Sequence, residues 1–255
     1  MPVLVKSLLD SGDKTAIITR IISSVADAMH KRIIDFATEE FGTPPCPFAF
    51  MVMGSEGRRE QTLATDQDNA IVFADVDEKE YGNVQKYFLS MGEFVNKGLH
   101  TVGYQYCRGE VMARNPKWTQ TLTTWKKYFT DWINNSNPQD VMEAGIFFDF
   151  RWVYGEESLV ASLREHVNTV SANKAVFFYH MAQSVMKFKP PLNMFGNIVG
   201  EEPAENGLHL DIKKVLFPVT TCIRLYSSRE KLTETNSLER RDQLYSREIL
   251  DKTSY

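Results

Sequence analysis

Apolar residues recur at three- and four-residue intervals over residues 17–41 (Ile17, Ile18, Ile21, Ile22, Val25, Met29, Ile33, Ala37, Phe41), the spacing of one long amphipathic helix. Gly42 stands where a helix C-terminus favours glycine, and Pro44, Pro45 and Pro47 forbid continuation. The unbroken apolar run over 48–53 then predicts a short buried strand and 70–74 a second, separated by a polar segment that contains glycine. Helical spacing returns at Tyr81, Val84, Phe88, Met91, Val95 and Leu99, and residues 104–113 predict a third strand despite Gly109.

Asn115 followed by Pro116 predicts a helix start, with asparagine as cap and proline at the first helical position. Trp118, Leu122, Trp125, Phe129 and Trp132 then form an aromatic stripe, a pattern that more often fills a core than builds a binding site. A second such start at Asn137 and Pro138 predicts a helix ending near Gly155. Beyond it only helices are expected, over 159–167, 176–188 and 208–226, the last kinked or split by Pro218. Residues 189–207 read as a long loop, a length that is often functional. The change in character predicts an α+β part over 1–135 and an all-helical part over 136–255. Residues 237–255 are polar, with little to bury, which points to a piece of a longer protein.

The composition narrows the function. The 255 residues are 43% hydrophobic and 24% charged, the make-up of a globular protein of one large or two small domains. The net charge is −4 with no basic stripe, which disfavours nucleic acid held by bulk electrostatics. No apolar run approaches the roughly 18–20 residues of a membrane span, and Lys6 and Asp10 break the amino-terminal apolar stretch, so neither a membrane anchor nor a signal peptide is expected and the cytoplasm is the expected location. Cys46, Cys107 and Cys222 lie far apart without a C-x-x-C pair and read as buried free thiols. The five histidines lack metal-ligand spacing.

The informative segment joins the first two strands: Gly54-Ser55-Glu56-Gly57-Arg58-Arg59-Glu60-Gln61-Thr62-Leu63-Ala64-Thr65-Asp66-Gln67-Asp68-Asn69. Glycine and serine directly after a strand allow close backbone approach, so that successive N–H groups and a hydroxyl can hold phosphate oxygens. Alternate residues of an extended segment point the same way, so Asp66 and Asp68 offer two carboxylates on one side. Two like charges so close call for a cation, and Mg²⁺ is typically held by one or two carboxylates together with substrate phosphates. Arg58 can neutralise a triphosphate, and the chemistry inferred is in-line transfer at phosphorus. A lone D-x-D commonly caps a turn and a lone Gly-Ser means less still. The two together, eleven positions apart from Ser55 to Asp66 and flanked by strands, are far more specific.

At these residues the chain resembles the nucleotidyltransferases of the DNA polymerase β type, whose signature is Gly-Ser, a spacer and Asp-x-Asp. More narrowly, GSEGRREQTLATDQDNAIVF is similar to the nucleotidyltransferases related to the uridylyltransferase of the PII signal protein, a group long labelled a domain of unknown function. The likeness extends to Tyr106-Cys107-Arg108-Gly109, to the segment from Val111 to Pro116 with Trp118, to FFDFRWVYGEESL, and to LDIKK and Arg224-Leu225-Tyr226, nearly the whole chain.

The resemblance implies a small mixed sheet with flanking helices carrying the active site, and a helical domain that closes over nucleotide or acceptor. It implies a nucleoside triphosphate as substrate, Mg²⁺ or Mn²⁺ as cofactor, and a protein acceptor of the PII-like kind. By the same resemblance Gly54, Ser55 and Gly57 belong to the phosphate loop, Arg58 assists it, Asp66 and Asp68 bind the metals, and Glu110 is the candidate third carboxylate. Lys213 and Arg224 are candidates to meet the triphosphate or base. Asp149 and Arg151 are better read as structural salt bridges. Longer relatives carry cyclic-nucleotide-binding and paired nucleotide-sensing domains ahead of the transferase, so the chain is expected to be either a stand-alone catalytic unit or a piece of a regulated enzyme, and its polar carboxyl terminus favours the second. Two function classes remain open: a nucleotidyltransferase, or a nucleotide-binding regulatory module that has lost turnover.

Overall fold

The computed structural model describes residues 1–134, 145–188 and 212–251. Its helices are α1 (Pro2–Asp10), α2 (Thr15–Phe41), the single turn α3 (Gly54–Gly57), α4 (Glu78–Thr101), α5 (Leu122–Asn134), α6 (Glu157–Ser171), α7 (Ala175–Met186), α8 (Ile212–Arg229) and α9 (Ser237–Ser246). Its strands are β1 (Phe48–Val52), β2 (Asn69–Phe73), β3 (Thr119–Thr121) and β4 (Arg151–Gly155), and two 3₁₀ turns cover Pro116–Trp118 and Gly145–Asp149. The fold is mixed α and β: a small four-stranded sheet with flanking helices, then a helical region. No helix among the described residues is long and apolar enough to cross a membrane.

The chain forms two compact units, one of Met1–Thr130 with Ile146–Val167 and one of Asp131–Gly145 with Asn168–Tyr255. In the first, the strand order is β3-β2-β1-β4, with β1 antiparallel to both β2 and β4 and β2 parallel to β3. Every residue of β1 and β2 is buried, which explains why both strands read as continuous apolar runs: the sheet is covered on both faces. One buried cluster joins Phe48, Phe50 and Val52 of β1 and Ile71 and Phe73 of β2 to Ile34 and Ala37 of α2 and to Val84, Phe88, Met91, Val95 and Leu99 of α4. A second gathers aromatic rings: Trp118 lies 4.4 Å from Phe147, and Phe129 lies 5.3 Å from Phe148 and 5.4 Å from Phe150, centroid to centroid. Trp125 Nε1–H donates to the Ile71 carbonyl at 3.1 Å and ties this group to β2. The first four residues of the aromatic stripe (Trp118, Leu122, Trp125, Phe129) therefore lie in this unit, three of them buried in its core.

Several elements depart from the sequence expectation. Residues 104–113 form no strand; an isolated bridge between Asp66 and Gln105 is what remains of the pairing. The third strand is Thr119–Thr121, so Asn115 caps only a 3₁₀ turn, its side chain accepting from Lys117 N–H at 3.0 Å, before α5 begins. Residues 151–155 are a strand on the sheet edge and not a helix end, because pairing with β1 supplies contacts that local periodicity cannot register. Helix α8 runs on through Pro218 without being split. The helix start at Asn137 and the loop over 189–207 lie outside the described residues.

In the second unit, α7 and α9 each pack on α8, with Phe177, Met181 and Leu244 buried. The polar end of the chain is thus partly helical, anchored by Leu244 and by Arg240, whose Nε–H donates to the Glu234 carbonyl at 2.7 Å.

Candidate active site

The chain leaves β1 at Val52 and turns at Gly54, whose φ of +60° is left-handed backbone that favours glycine. A Cβ at Gly54 would stand 2.9 Å from Ile146 Cγ1 and 3.2 Å from Asp68 Oδ2, so the missing side chain is what lets the turn lie against both. The leading N–H groups of the single turn α3 have no intrahelical acceptor and are available to an anion. Ser55 is half-buried on this turn.

Three contacts hold α3 in place from behind. Gly57 packs directly on the Asp149 backbone, where any Cβ would collide with the carbonyl. Arg58 Nη1–H donates to Asp149 Oδ2 at 2.8 Å and Nε–H to Glu60 Oε2 at 2.7 Å. Arg151 donates from Nη2 to the Glu56 carbonyl at 3.3 Å while its guanidinium forks onto Asp27 at 2.8 and 2.9 Å. The two carboxylates hold the Arg58 guanidinium well above its ordinary pKa despite its burial. Its charge is therefore already balanced within the fold, and the ion pairs expected of Asp149 and Arg151 are those with Arg58 and Asp27.

The acid pair sits on a mount of neutral amides. Alternation places Gln67 and Asn69 on the opposite side from Asp66 and Asp68, and both are fully buried beneath α4. There Asn96 Nδ2–H donates to Gln67 Oε1 at 2.8 Å and to Asn69 Oδ1 at 2.9 Å, while Gln67 Nε2–H donates to the Asn96 carbonyl at 3.0 Å. The same network pins the following loop, since Asn69 Oδ1 accepts from Ala113 N–H and Asn96 Oδ1 from Arg114 N–H, each at 2.9 Å. Its sequence signal is an asparagine in the apolar face of α4, between Val95 and Leu99, together with polar alternation at 67 and 69.

The structure brings Asp66 and Asp68 together and adds Cys107: one donor atom from each of the three lies within 4.8 Å of the others. The Cys107 thiol is buried, and burial together with the neighbouring Asp68 carboxylate pushes its pKa up to about 11. Glu110 is not brought to the pair. Its backbone is left-handed at φ +52°, and its half-exposed carboxylate is gripped by Arg114 Nη2 at 2.9 and 3.1 Å. Arg224 is buried in the second unit, its Nη1–H donating to Thr221 Oγ1 at 3.3 Å. Lys213 lies in the first turn of α8, and its side chain is outside the described residues.

At α3 lies a second feature that no spacing along the chain marks, a buried acid beside a buried base. Glu56 Oε1 lies 3.5 Å from His30 Nδ1, and each residue is at most 1% exposed. His30 Nδ1 is 2.9 Å from the Ala26 carbonyl, which only accepts, so the ring proton sits on Nδ1. Burial raises Glu56 to about 8, against the lowering influence of Arg151, and lowers His30 to about 4. Burial thus favours the neutral form of each.

A glycine turn after one strand and an acid pair before the next are the arrangement expected of a nucleotidyltransferase site. Residues 1–139 match the family described as "Putative nucleotidyltransferase DUF294", and the chain belongs to it. Residues 175–255 match the model described as "Putative nucleotidyltransferase substrate binding domain". No curated protein matches the chain. The donor set fits the divalent cation that such chemistry uses: the two carboxylates converge, with Asp68 Oδ2 against the Gly54 turn.

Proposed function

We propose that the protein transfers a nucleoside monophosphate from a nucleoside triphosphate to a hydroxyl of an acceptor, and that the acceptor is a protein of the PII-like regulator kind. The observation that carries the reading is the convergence of Asp66 and Asp68 against the Gly54 turn. The acceptor rests on the resemblance of the 54–73 segment to the uridylyltransferase of the PII protein.

In this reading Asp66 and Asp68 hold Mg²⁺ or Mn²⁺. A bound cation of this kind neutralises phosphate charge and lowers the pKa of an attacking hydroxyl. Gly54 and Ser55 hold the terminal phosphates through backbone N–H groups and the serine hydroxyl, and Gly57 seats the turn. Arg58 acts by fixing the loop through Asp149 and Glu60. Residues 175–255 form the substrate-binding domain in this reading, with Lys213 its proposed nucleotide contact.

The test is transfer of label from each of four α-phosphate-labelled triphosphates, with Mg²⁺ or Mn²⁺, into a lysate of the source cell. A labelled band absent with the doubly substituted Asp66→Asn, Asp68→Asn protein establishes the transfer and exposes both base and acceptor. Metal-dependent triphosphate binding without transfer under any condition defeats the enzyme reading. It favours the regulatory module, to which the arrival of a thiol in place of a third carboxylate already lends weight.

A further inference from the structure

We propose that Cys107 is the third protein donor of the cation site, so that thiophilic divalent ions such as Cd²⁺, Co²⁺ and Zn²⁺ bind through Asp66, Asp68 and Cys107, whereas Mg²⁺ engages the two carboxylates alone. The inference rests on the reading of Asp66 and Asp68 as metal ligands. It adds a residue that the sequence presents only as a buried thiol.

The geometry supports it in three ways. The sulfur and one oxygen from each carboxylate lie within 4.8 Å of one another. Around a tetrahedral ion with bonds of 2.0–2.3 Å the donors stand about 3.5 Å apart, so side-chain shifts below roughly an ångström on each residue close the site. Cys107 is buried and its sulfur lies within 4.8 Å of a carboxylate oxygen of each aspartate, so it is directed at the acid pair and not at solvent. The segment that carries it is held to the pair by backbone bonds: Gln67 N–H donates to the Gln105 carbonyl at 2.9 Å and Asn69 N–H to the Val111 carbonyl at 3.1 Å.

Softness then separates the ions. Thiolate donors favour Zn²⁺ and other soft or borderline ions, while Mg²⁺ selects oxygen and gains nothing from sulfur. As a soft ion binds, the thiol proton passes to water and a sulfur–metal bond replaces the S–H bond, so binding releases one proton from Cys107. The site therefore holds Zn²⁺-like ions more tightly than two carboxylates alone would allow.

The full chain is titrated with Cd²⁺ while the ultraviolet thiolate-to-metal charge-transfer absorption is followed, and separately with Mn²⁺ by electron paramagnetic resonance. The Cys107→Ser protein is measured alongside, so that Cys46 and Cys222 cancel in the difference. The wild-type chain is expected to show one charge-transfer equivalent that Cys107→Ser lacks, with Cd²⁺ affinity falling on the order of tenfold or more. Mn²⁺ affinity is expected to stay within a few-fold, which also reports that the variant is folded. A Cys107→Asp protein should likewise lose the band while binding Mn²⁺ at least as well as wild type. Cd²⁺ binding without a Cys107-dependent band overturns the proposal while leaving the acid pair intact. Absence of Mn²⁺ binding in the wild-type chain overturns both.

Discussion

Replacing Glu56 with Gln removes one partner of the buried acid–base pair and has a calculable effect on stability. Glu56 titrates near 8 in the fold and near 4.5 in the unfolded chain, so the folded state keeps a proton that the unfolded state gives up. The stability this confers is complete below pH 4.5 and is lost as pH rises to 8, at about 1.4 kcal/mol per pH unit. His30 works in the opposite sense. It titrates near 4 in the fold and 6.5 when unfolded, so its contribution is present above 6.5 and is lost as pH falls toward 4. From 4.5 to 6.5 the two slopes cancel, and from 6.5 to 8 only Glu56 acts, costing about 2 kcal/mol over 1.5 units. In Glu56→Gln that decline should vanish, and the rise due to His30, about 3 kcal/mol between pH 4 and 6.5, should emerge. Urea unfolding at half-unit pH steps measures both. Curves for wild type and Glu56→Gln that run parallel from pH 6.5 to 8 would refute the linkage between burial and protonation drawn here.

Asp66→Asn and Asp68→Asn should each abolish label transfer while shifting unfolding free energy by less than about 1 kcal/mol, read from thermal melts alongside the transfer assay. Arg58→Met should destabilise by roughly 3–5 kcal/mol, because it removes the cation from the fully buried Asp149 carboxylate, and adding Asp149→Leu should recover most of the loss in chemical denaturation. Gly57→Ala should cost upwards of about 2 kcal/mol, since its methyl meets rigid backbone at Asp149, and phosphate-analogue binding should weaken with it. Asn96→Leu should cost on the order of 3 kcal/mol by taking away the side-chain partners of Gln67 Oε1 and the Arg114 N–H, and a neutral result by urea unfolding would show that the amide network carries no stability.

What the sequence made legible was whatever local periodicity or spacing encodes. Helices α2 and α4 and strands β1 and β2 follow from apolar recurrence, and the acid pair follows from alternation beside a glycine turn. Strand β4 escaped because Arg151, Trp152 and Tyr154 are only partly buried there and Val153 alone of the five is fully so; its strand character comes from pairing with β1 about a hundred positions away. The segment 104–113 carries strand-like residues, yet its bonds to the 65–69 segment are scattered, Gln105 with Thr65 and Gln67 and Val111 with Asn69, and Ala113 N–H goes to the Asn69 side chain, which no β-propensity reflects. Cys107 and the Glu56–His30 pair were invisible for a related reason. Each becomes notable only through a neighbour remote in sequence, so a thiol or carboxyl reads as ordinary until the chain is folded.

The route of the chain also bears on how the site can come into being during synthesis. Arg58 finds Asp149 across 91 positions and Arg151 finds Asp27 across 124, while β4 seals an edge of β1 that would otherwise stay open. A ribosome that has delivered the glycine turn and both aspartates has therefore not yet delivered what fixes them, and the nascent strand edge waits unpaired until residue 155 has emerged. A fragment cut at residue 139, the limit of the first family match, keeps every proposed catalytic side chain and lacks the strand and ion-pair partners that hold them. Expression pieces meant to retain the site have to extend through α6.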